Sequence, residues 1–220
     1  MLTLNKLIEH KISNYELKIK NIRLFHKDST LSLAQAKKFV LAFYHARGHF
    51  YKFLWILGCF ALNNNYKEVV VNNLEEEFGG RASSHEQLYL DFSKNFGVDI
   101  LSEILSESNY PDFLKEFNRG HISWLLKHNW TEKWSAFAAY ESLDNSDYRN
   151  LLKLLENLNP KVKDLRFFKV HSNANHFEST SKYLSELWEL DAQSVENGFD
   201  FILPHQLNMW SELSNYVYSG

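Results

Sequence analysis

Residues 73–80 read Asn-Leu-Glu-Glu-Glu-Phe-Gly-Gly, and His85 follows five residues later. A glycine pair ends a helix, and Ser84 is a typical cap for the start of the next one. The break lets Glu77 and His85 share one site although they are eight residues apart. A run of three glutamates is also typical of a solvated helix face, and the glycines can be a simple C-cap.

Outward from this stretch the apolar residues recur at helical spacing almost throughout the chain. Three prolines and eight glycines are too few for a many-stranded sandwich. We expect an all-α fold in which residues 1–220 form one bundle of about seven helices. Ser32 to about Leu62 and His121 to Leu143 are predicted helices, the second one interrupted around Asn129. Residues 145–147 are predicted as a loop or cap.

The composition excludes several classes of protein. With 220 residues and 45% hydrophobic side chains, the chain can bury a sizeable core. A net charge of −3 gives no electrostatic case for binding nucleic acid or an anionic membrane. The single cysteine, Cys59, excludes an internal disulfide framework and favours a reducing, cytoplasmic location. It lies in an apolar run and is expected to be buried. That run is too short to span a bilayer.

Further candidate metal ligands lie in the second half of the chain. Glu141 follows Phe137, Ala138, Ala139 and Tyr140, where an ionised carboxylate is costly unless it is paired or binds a metal. His171, Asn175 and Glu178 have i, i+4, i+7 spacing and share one helix face. Helix bundles build metal sites from such inward-facing groups. Pairing of Glu141 with a Lys or Arg, and chance spacing of histidines, are the alternatives.

An aromatic and basic set lies on the predicted second helix. Tyr44, His45 and Arg47 are candidates for lining a substrate pocket, where Arg47 could hold a carboxylate. Core packing beside a surface arginine explains these residues equally well.

Together these motifs resemble the haem-oxygenase-like superfamily, and most of all its iron-containing redox enzymes, the haem-oxygenase-like di-iron oxidases. Residues 73–80 with His85 and Leu88 resemble the ligand helix, loop and histidine of that family. Tyr140-Glu141 resembles its central glutamate, and Phe168-x-x-His171 resembles the entry to its last ligand helix. Thiaminase II and pyrroloquinoline-quinone synthase types are more distant relatives.

The resemblance implies a non-haem iron oxidase or oxygenase that uses O2 as co-substrate on a small organic molecule. It implies one or two iron ions held by Glu77, His85, Glu141 and His171, with Asn175 and Glu178 at a second position. Relatives often form dimers. Family members commonly have Asp and His where this chain has Asn175 and Glu178, so the second ion stays open. A metal-free helical binding module and a cofactor-independent enzyme of the quinone-synthase or thiaminase type remain the alternatives.

Overall fold

A computed structural model describes residues 3–80, 83–158, 161–173 and 176–219. Short 3-10 turns cover Arg23–Phe25 and Lys94–Phe96. The α-helices, in chain order, are α1 Leu4–Ile19, α2 Leu33–Arg47, α3 Phe50–Phe60, α4 Asn64–Phe78, α5 His85–Ser93, α6 Ile100–Ser106, α7 Asp112–Lys127, α8 Trp130–Glu156, α9 Arg166–Asn173, α10 His176–Ser181 and α11 Leu184–Tyr218.

The predicted all-α class is confirmed, since no strand occurs among the residues that the structure describes. The helices outnumber the seven expected, in part because the predicted helix from Ser32 to Leu62 is two helices. His49 has a non-helical ψ of 2°. Gly48 and His49 form a turn, and a Cβ on Gly48 would lie 2.8 Å from the Tyr44 ring and from the Tyr44 carbonyl oxygen. This turn separates α2 from α3.

The centre of the bundle is α8, and α11 packs along it. Gly198 of α11 makes this approach possible, since a Cβ there would lie 2.6 Å from the Ala136 nitrogen and from the Ser135 Cβ. Ala138 and Ala139 are fully buried in the same helix. The buried apolar cluster extends from Leu4 in α1 to Val217 in α11, so helices from both ends of the chain share it.

Two predicted boundaries in the second half are wrong. The helix predicted to begin at His121 begins earlier, since His121 lies inside α7, and residues 145–147 lie inside α8 rather than in a loop. Polar residues are tolerated there because the Asp147 carboxylate accepts hydrogen bonds from Tyr15 and Trp210 of neighbouring helices. The predicted interruption at Asn129 is confirmed, because Asn129 caps the start of α8 through a capping box.

Helix α3 is less buried than its apolar sequence indicates. Cys59 is exposed, which corrects the expectation of a buried cysteine. Trp55 and Phe60 are exposed as well, because α3 turns only one side toward the core. Among the described residues, no helix combines the length and apolar character needed to cross a membrane.

Candidate metal centre

Three helices bring Glu77, His85 and His171 together. One ligand atom of each lies within 4.8 Å of the others, the two histidines are buried, and Glu77 is partly buried. Glu77 is near the end of α4, where Gly79 adopts a left-handed φ of 83° and ends the helix. His85 begins α5 directly after Ser84, whose side chain accepts a hydrogen bond from the Gln87 amide. The helix break therefore turns the two ligand candidates toward each other.

A short contact joins the first two of these residues. His85 Nδ1 lies 2.8 Å from Glu77 Oε1, where an N–H donates to the carboxylate. Burial lowers the pKa of His85, but the hydrogen bond and the negative charge of Glu77 outweigh it, so the pKa is raised overall. When His85 is neutral, this contact leaves the lone pair on Nε2, the arrangement found in metal-binding histidines.

His171 has the same arrangement by a different route. Its Nδ1 donates to the Phe167 carbonyl at 2.8 Å, one turn earlier in α9. A carbonyl accepts only from N–H, so the proton of neutral His171 is on Nδ1 and the lone pair is on Nε2. The His85 and His171 rings are 4.4 Å apart between centroids. Both imidazoles are thus suited to the same cation.

Glu141 projects from the middle of α8 and lines the same cavity, although it lies outside the 4.8 Å group. It is 3% exposed, and neither carboxylate oxygen has a hydrogen-bond partner among the described residues. Burial raises the pKa of Glu141 far above its ordinary value, and the charges of Asp144 and Glu77 raise it further. A buried carboxylate without a partner is costly, and a bound cation removes that cost. The residues present therefore fit a metal ion.

The cavity has about 780 Å³ of space free of protein atoms, its open mouth included. Tyrosine and phenylalanine rings form much of its wall, and carboxylates and the two histidines supply its polar groups. The lining residues are Tyr44, Arg47, Gly48, Phe50, Tyr51, Asn73, Glu76, Glu77, Phe78, His85, Glu86, Tyr89, Tyr140, Glu141, Asp144, Tyr148, Phe167 and His171.

Arg47 lines this cavity, but its guanidinium group is engaged by other side chains of the protein. Its Nη1 donates to the Tyr140 hydroxyl. Nη1 lies 3.8 Å from Asp144 Oδ1, and Nη2 lies 3.8 Å from Asp147 Oδ2. The guanidinium also lies over the ring of Tyr140. Arg47 is buried, so its charge is balanced by two neighbouring carboxylates rather than by water.

Of the other two predicted pocket residues, Tyr44 lines the cavity and His45 does not. The His45 ring packs flat on Tyr110, with centroids 4.1 Å apart, and its Nε2 lies 2.7 Å from Glu103 Oε1. Burial lowers the pKa of His45 despite the nearby carboxylate. His45 therefore joins α2 to α6 on the side of α2 away from the cavity.

Of the two residues proposed for a second ion, the structure describes only Glu178. Asn175 falls outside the described residues. Glu178 lies in α10, is exposed, and does not line the cavity.

Asp144 and Tyr148 also line the site, although neither was predicted from the sequence. They lie three and seven residues after Glu141 on one face of α8, so helical spacing could have identified them. The predicted helix ended at Leu143, before either residue.

Comparison with known proteins gives the family and the fold of the chain. The sequence model of a protein family described as an iron-containing redox enzyme matches residues 37–177. No curated protein sequence matches the chain.

Solved structures of similar fold include proteins of Nostoc punctiforme and Shewanella denitrificans. A CADD-like protein of unknown function from Nostoc punctiforme PCC 73102 has a TM-score of 0.74 at 17% identity, covering 96% of this chain and 99% of that one. A second structure of the Nostoc protein gives 0.72 at 19% identity, covering 96% and 95%. A domain of unknown function with a heme oxygenase-like fold, from Shewanella denitrificans OS217, gives 0.74 at 19% identity, covering 97% and 92%. At these identities the likeness shows the fold alone.

Proposed function

This chain belongs to the family of iron-containing redox enzymes, and from that membership we propose that it is a non-haem iron enzyme that oxidises a small organic molecule with O2. Its fold is haem-oxygenase-like. We assign the iron to Glu77, His85, Glu141 and His171.

The observation that carries the proposal is the convergence of ligand groups from three helices beside an unpartnered carboxylate. Glu77, His85 and His171 offer ligand atoms within 4.8 Å of one another. Glu141 adds two buried oxygens for which the described residues provide no donor. Mixed carboxylate and imidazole donors with open positions are typical of non-haem iron sites that activate O2.

Iron bound there would supply O2 binding and electron transfer, while the protein orients the ligand side chains and limits the access of water. The Glu77 and Phe167 contacts fix the tautomers of His85 and His171, so each ring offers Nε2. The Tyr140 hydroxyl is held by Arg47, which orients the ring beside Glu141. The aromatic wall limits the access of water to the reacting centre.

The number of ions is a separate proposal. The four assigned residues can hold one iron, whereas a second ion would need donors such as Asn175 and Glu178. Because Glu178 is exposed and outside the cavity, we propose one iron per chain. The same exposure of Glu178 favours, as a second candidate, a metal-free relative that binds or converts a small molecule in this cavity.

The test is iron content after anaerobic loading with Fe(II) and removal of the excess. We expect about one iron per chain in the wild type and a large loss in Glu141→Gln and His171→Ala. Glu75→Gln and His26→Ala are matched controls, since both side chains are exposed and outside the cavity. Two ions per chain would overturn the single site. Absence of iron in the wild type would overturn the oxidase and favour the metal-free candidate.

A further inference from the structure

The described residues line the cavity with more carboxylates than an iron site requires. Five carboxylates line it, those of Glu76, Glu77, Glu86, Glu141 and Asp144. Two of them, Glu77 and Glu141, are assigned to iron in the proposed function. Of the other three, Asp144 lies 3.8 Å from the guanidinium of Arg47, and Glu86 is exposed.

Arg47 does not offset this excess, because its charge is already balanced. Asp144 and Asp147 flank the guanidinium at 3.8 Å, and Asp147 itself lies outside the cavity. A carboxylate ligand at Arg47 would have to enter beside Asp144, against the repulsion of a like charge. The charge distribution therefore disfavours an acidic ligand and favours a cation.

The inner end of the cavity is not neutralised by protein groups either. Glu141 is 3% exposed and lines the cavity with both oxygens unpartnered among the described residues. No donor among the described residues therefore serves Glu141 at this end of the cavity.

The mouth has the composition of a receptor for an ammonium group. Glu86, in the first turn of α5, is exposed there and lies close to two tyrosines. Burial raises the pKa of Tyr44, and the charge of Glu86 raises it further. The pKa of Tyr51 is raised by the same two causes. Aromatic faces beside a carboxylate attract a cation through both the ring and the charge.

We propose that the substrate is a small molecule with a protonated amine on an apolar or aromatic body, and that its ammonium group binds at Glu86 between Tyr44 and Tyr51. The apolar body then extends inward along Tyr89 and Phe50 toward Glu141. The role of this molecule as a substrate rests on the proposed function, whereas its binding needs no iron.

Three probes of matched shape and different charge test this on the iron-free protein. Benzylamine is cationic near neutral pH, benzyl alcohol is neutral and benzoate is anionic. Each is titrated while chemical shifts of a uniformly 15N-labelled sample are followed. We expect benzylamine to bind about tenfold more tightly than benzyl alcohol, since one exposed ion pair and one cation–π contact are each worth a fraction of that factor. Benzoate is expected to bind most weakly.

Variants at exposed or half-buried positions locate the effect without endangering the fold. Glu86→Gln should remove most of the preference for the amine, whereas Glu75→Gln removes the same charge outside the cavity and should keep it. Tyr51→Phe keeps the aromatic face and should bind benzylamine as the wild type does, while Tyr51→Leu should bind it several-fold more weakly.

The outcomes separate this proposal from the iron assignment. Equal or tighter binding of benzoate, no binding of benzylamine, or an unchanged preference in Glu86→Gln would each overturn the amine proposal and leave the iron test unaffected. An amine preference in a protein that fails to load iron would support an amine-binding site and reject the oxidase.

Discussion

Tyr148 lies flat against His171, with ring centroids 4.4 Å apart and ring planes 18° apart. Phe167 packs on the same imidazole at 4.4 Å, and its carbonyl accepts the Nδ1 proton. His171 is therefore fixed in both ring plane and tautomer before any ligand binds. Because Tyr148 also lies two turns after Glu141 in α8, one helix provides a candidate ligand and the support of another.

Loss of this support should weaken metal binding without removing a ligand. We expect Tyr148→Leu to bind Fe(II) about tenfold more weakly, as losses around ligating histidines commonly do. Tyr148→Phe keeps the ring and should bind like the wild type. Anaerobic Fe(II) titration measures both. Equal affinity in Tyr148→Leu and the wild type would show that the stacking does not hold His171 in position.

Asp147 makes the stability of the fold dependent on pH. It is fully buried and accepts hydrogen bonds from the Tyr15 hydroxyl at 2.9 Å and from Trp210 Nε1 at 2.8 Å. Burial raises the pKa of Asp147 from 3.8 to about 7, although the charge of Arg47 and these hydrogen bonds oppose the rise. The folded state therefore holds a proton that the unfolded chain releases between these two pH values.

The sign of the effect follows from this proton. A raised carboxyl pKa favours the folded state at low pH, and that contribution is lost as the pH rises from about 4 to about 7. We expect the stability of the wild type minus that of Asp147→Asn to fall over this range by up to about 4 kcal/mol, and to be constant above it. Urea unfolding of both proteins across the pH range measures the difference. A difference that rises with pH would contradict the burial argument.

Gly198 should be intolerant of any side chain. In Gly198→Ala the new Cβ would lie 2.6 Å from the Ala136 nitrogen, and α8 and α11 would have to separate. We expect a loss of about 1–3 kcal/mol in the free energy of unfolding. Gly58→Ala is the matched control, because its Cβ would meet Val70 Cγ1 at an ordinary 3.5 Å. The control should gain up to about 1 kcal/mol from the lower entropy of its unfolded state. Similar losses in both would show that the close approach is not decisive.

Local sequence signals predicted helix boundaries and one contact of the candidate site. Gly79-Gly80 and Ser84 indicated where α4 ends and α5 begins, because a left-handed glycine and a side-chain cap act within a few residues. The same break predicted that Glu77 and His85 could meet, and the structure brings them to 2.8 Å. Their role as ligands remains a prediction.

Tertiary contacts explain the features that the sequence did not predict. Residues 145–147 have the composition of a loop, yet hydrogen bonds from α1 and α11 to Asp147 keep them helical. His45 is on the same helix as Arg47, but only its partner Glu103 in α6 shows that it faces away from the cavity. Partners more than fifty residues away cannot be identified from one sequence.

Glu141 should lower the stability of the metal-free protein while enabling metal binding. Its carboxylate is buried without a hydrogen-bond partner among the described residues, so the neutral amide in Glu141→Gln is less costly to bury. We therefore expect metal-free Glu141→Gln to be more stable than the wild type, by roughly 1 kcal/mol. The exchange of stability for function is typical of binding sites that are built before the ligand arrives.

Co(II), which accepts the same donors and is stable in air at neutral pH, tests both halves of this expectation by thermal unfolding. At a hundredfold excess over its Kd, a ligand of the folded state adds about 2.7 kcal/mol, so the wild type should unfold at a clearly higher temperature with Co(II). Without Co(II), Glu141→Gln should unfold at a higher temperature than the wild type, and Co(II) should raise that temperature little. Glu178→Gln should respond to Co(II) as the wild type does, because Glu178 lies outside the cavity. An equal Co(II) gain in Glu141→Gln would remove Glu141 from the ligand set, and loss of the gain in Glu178→Gln would place α10 at the metal.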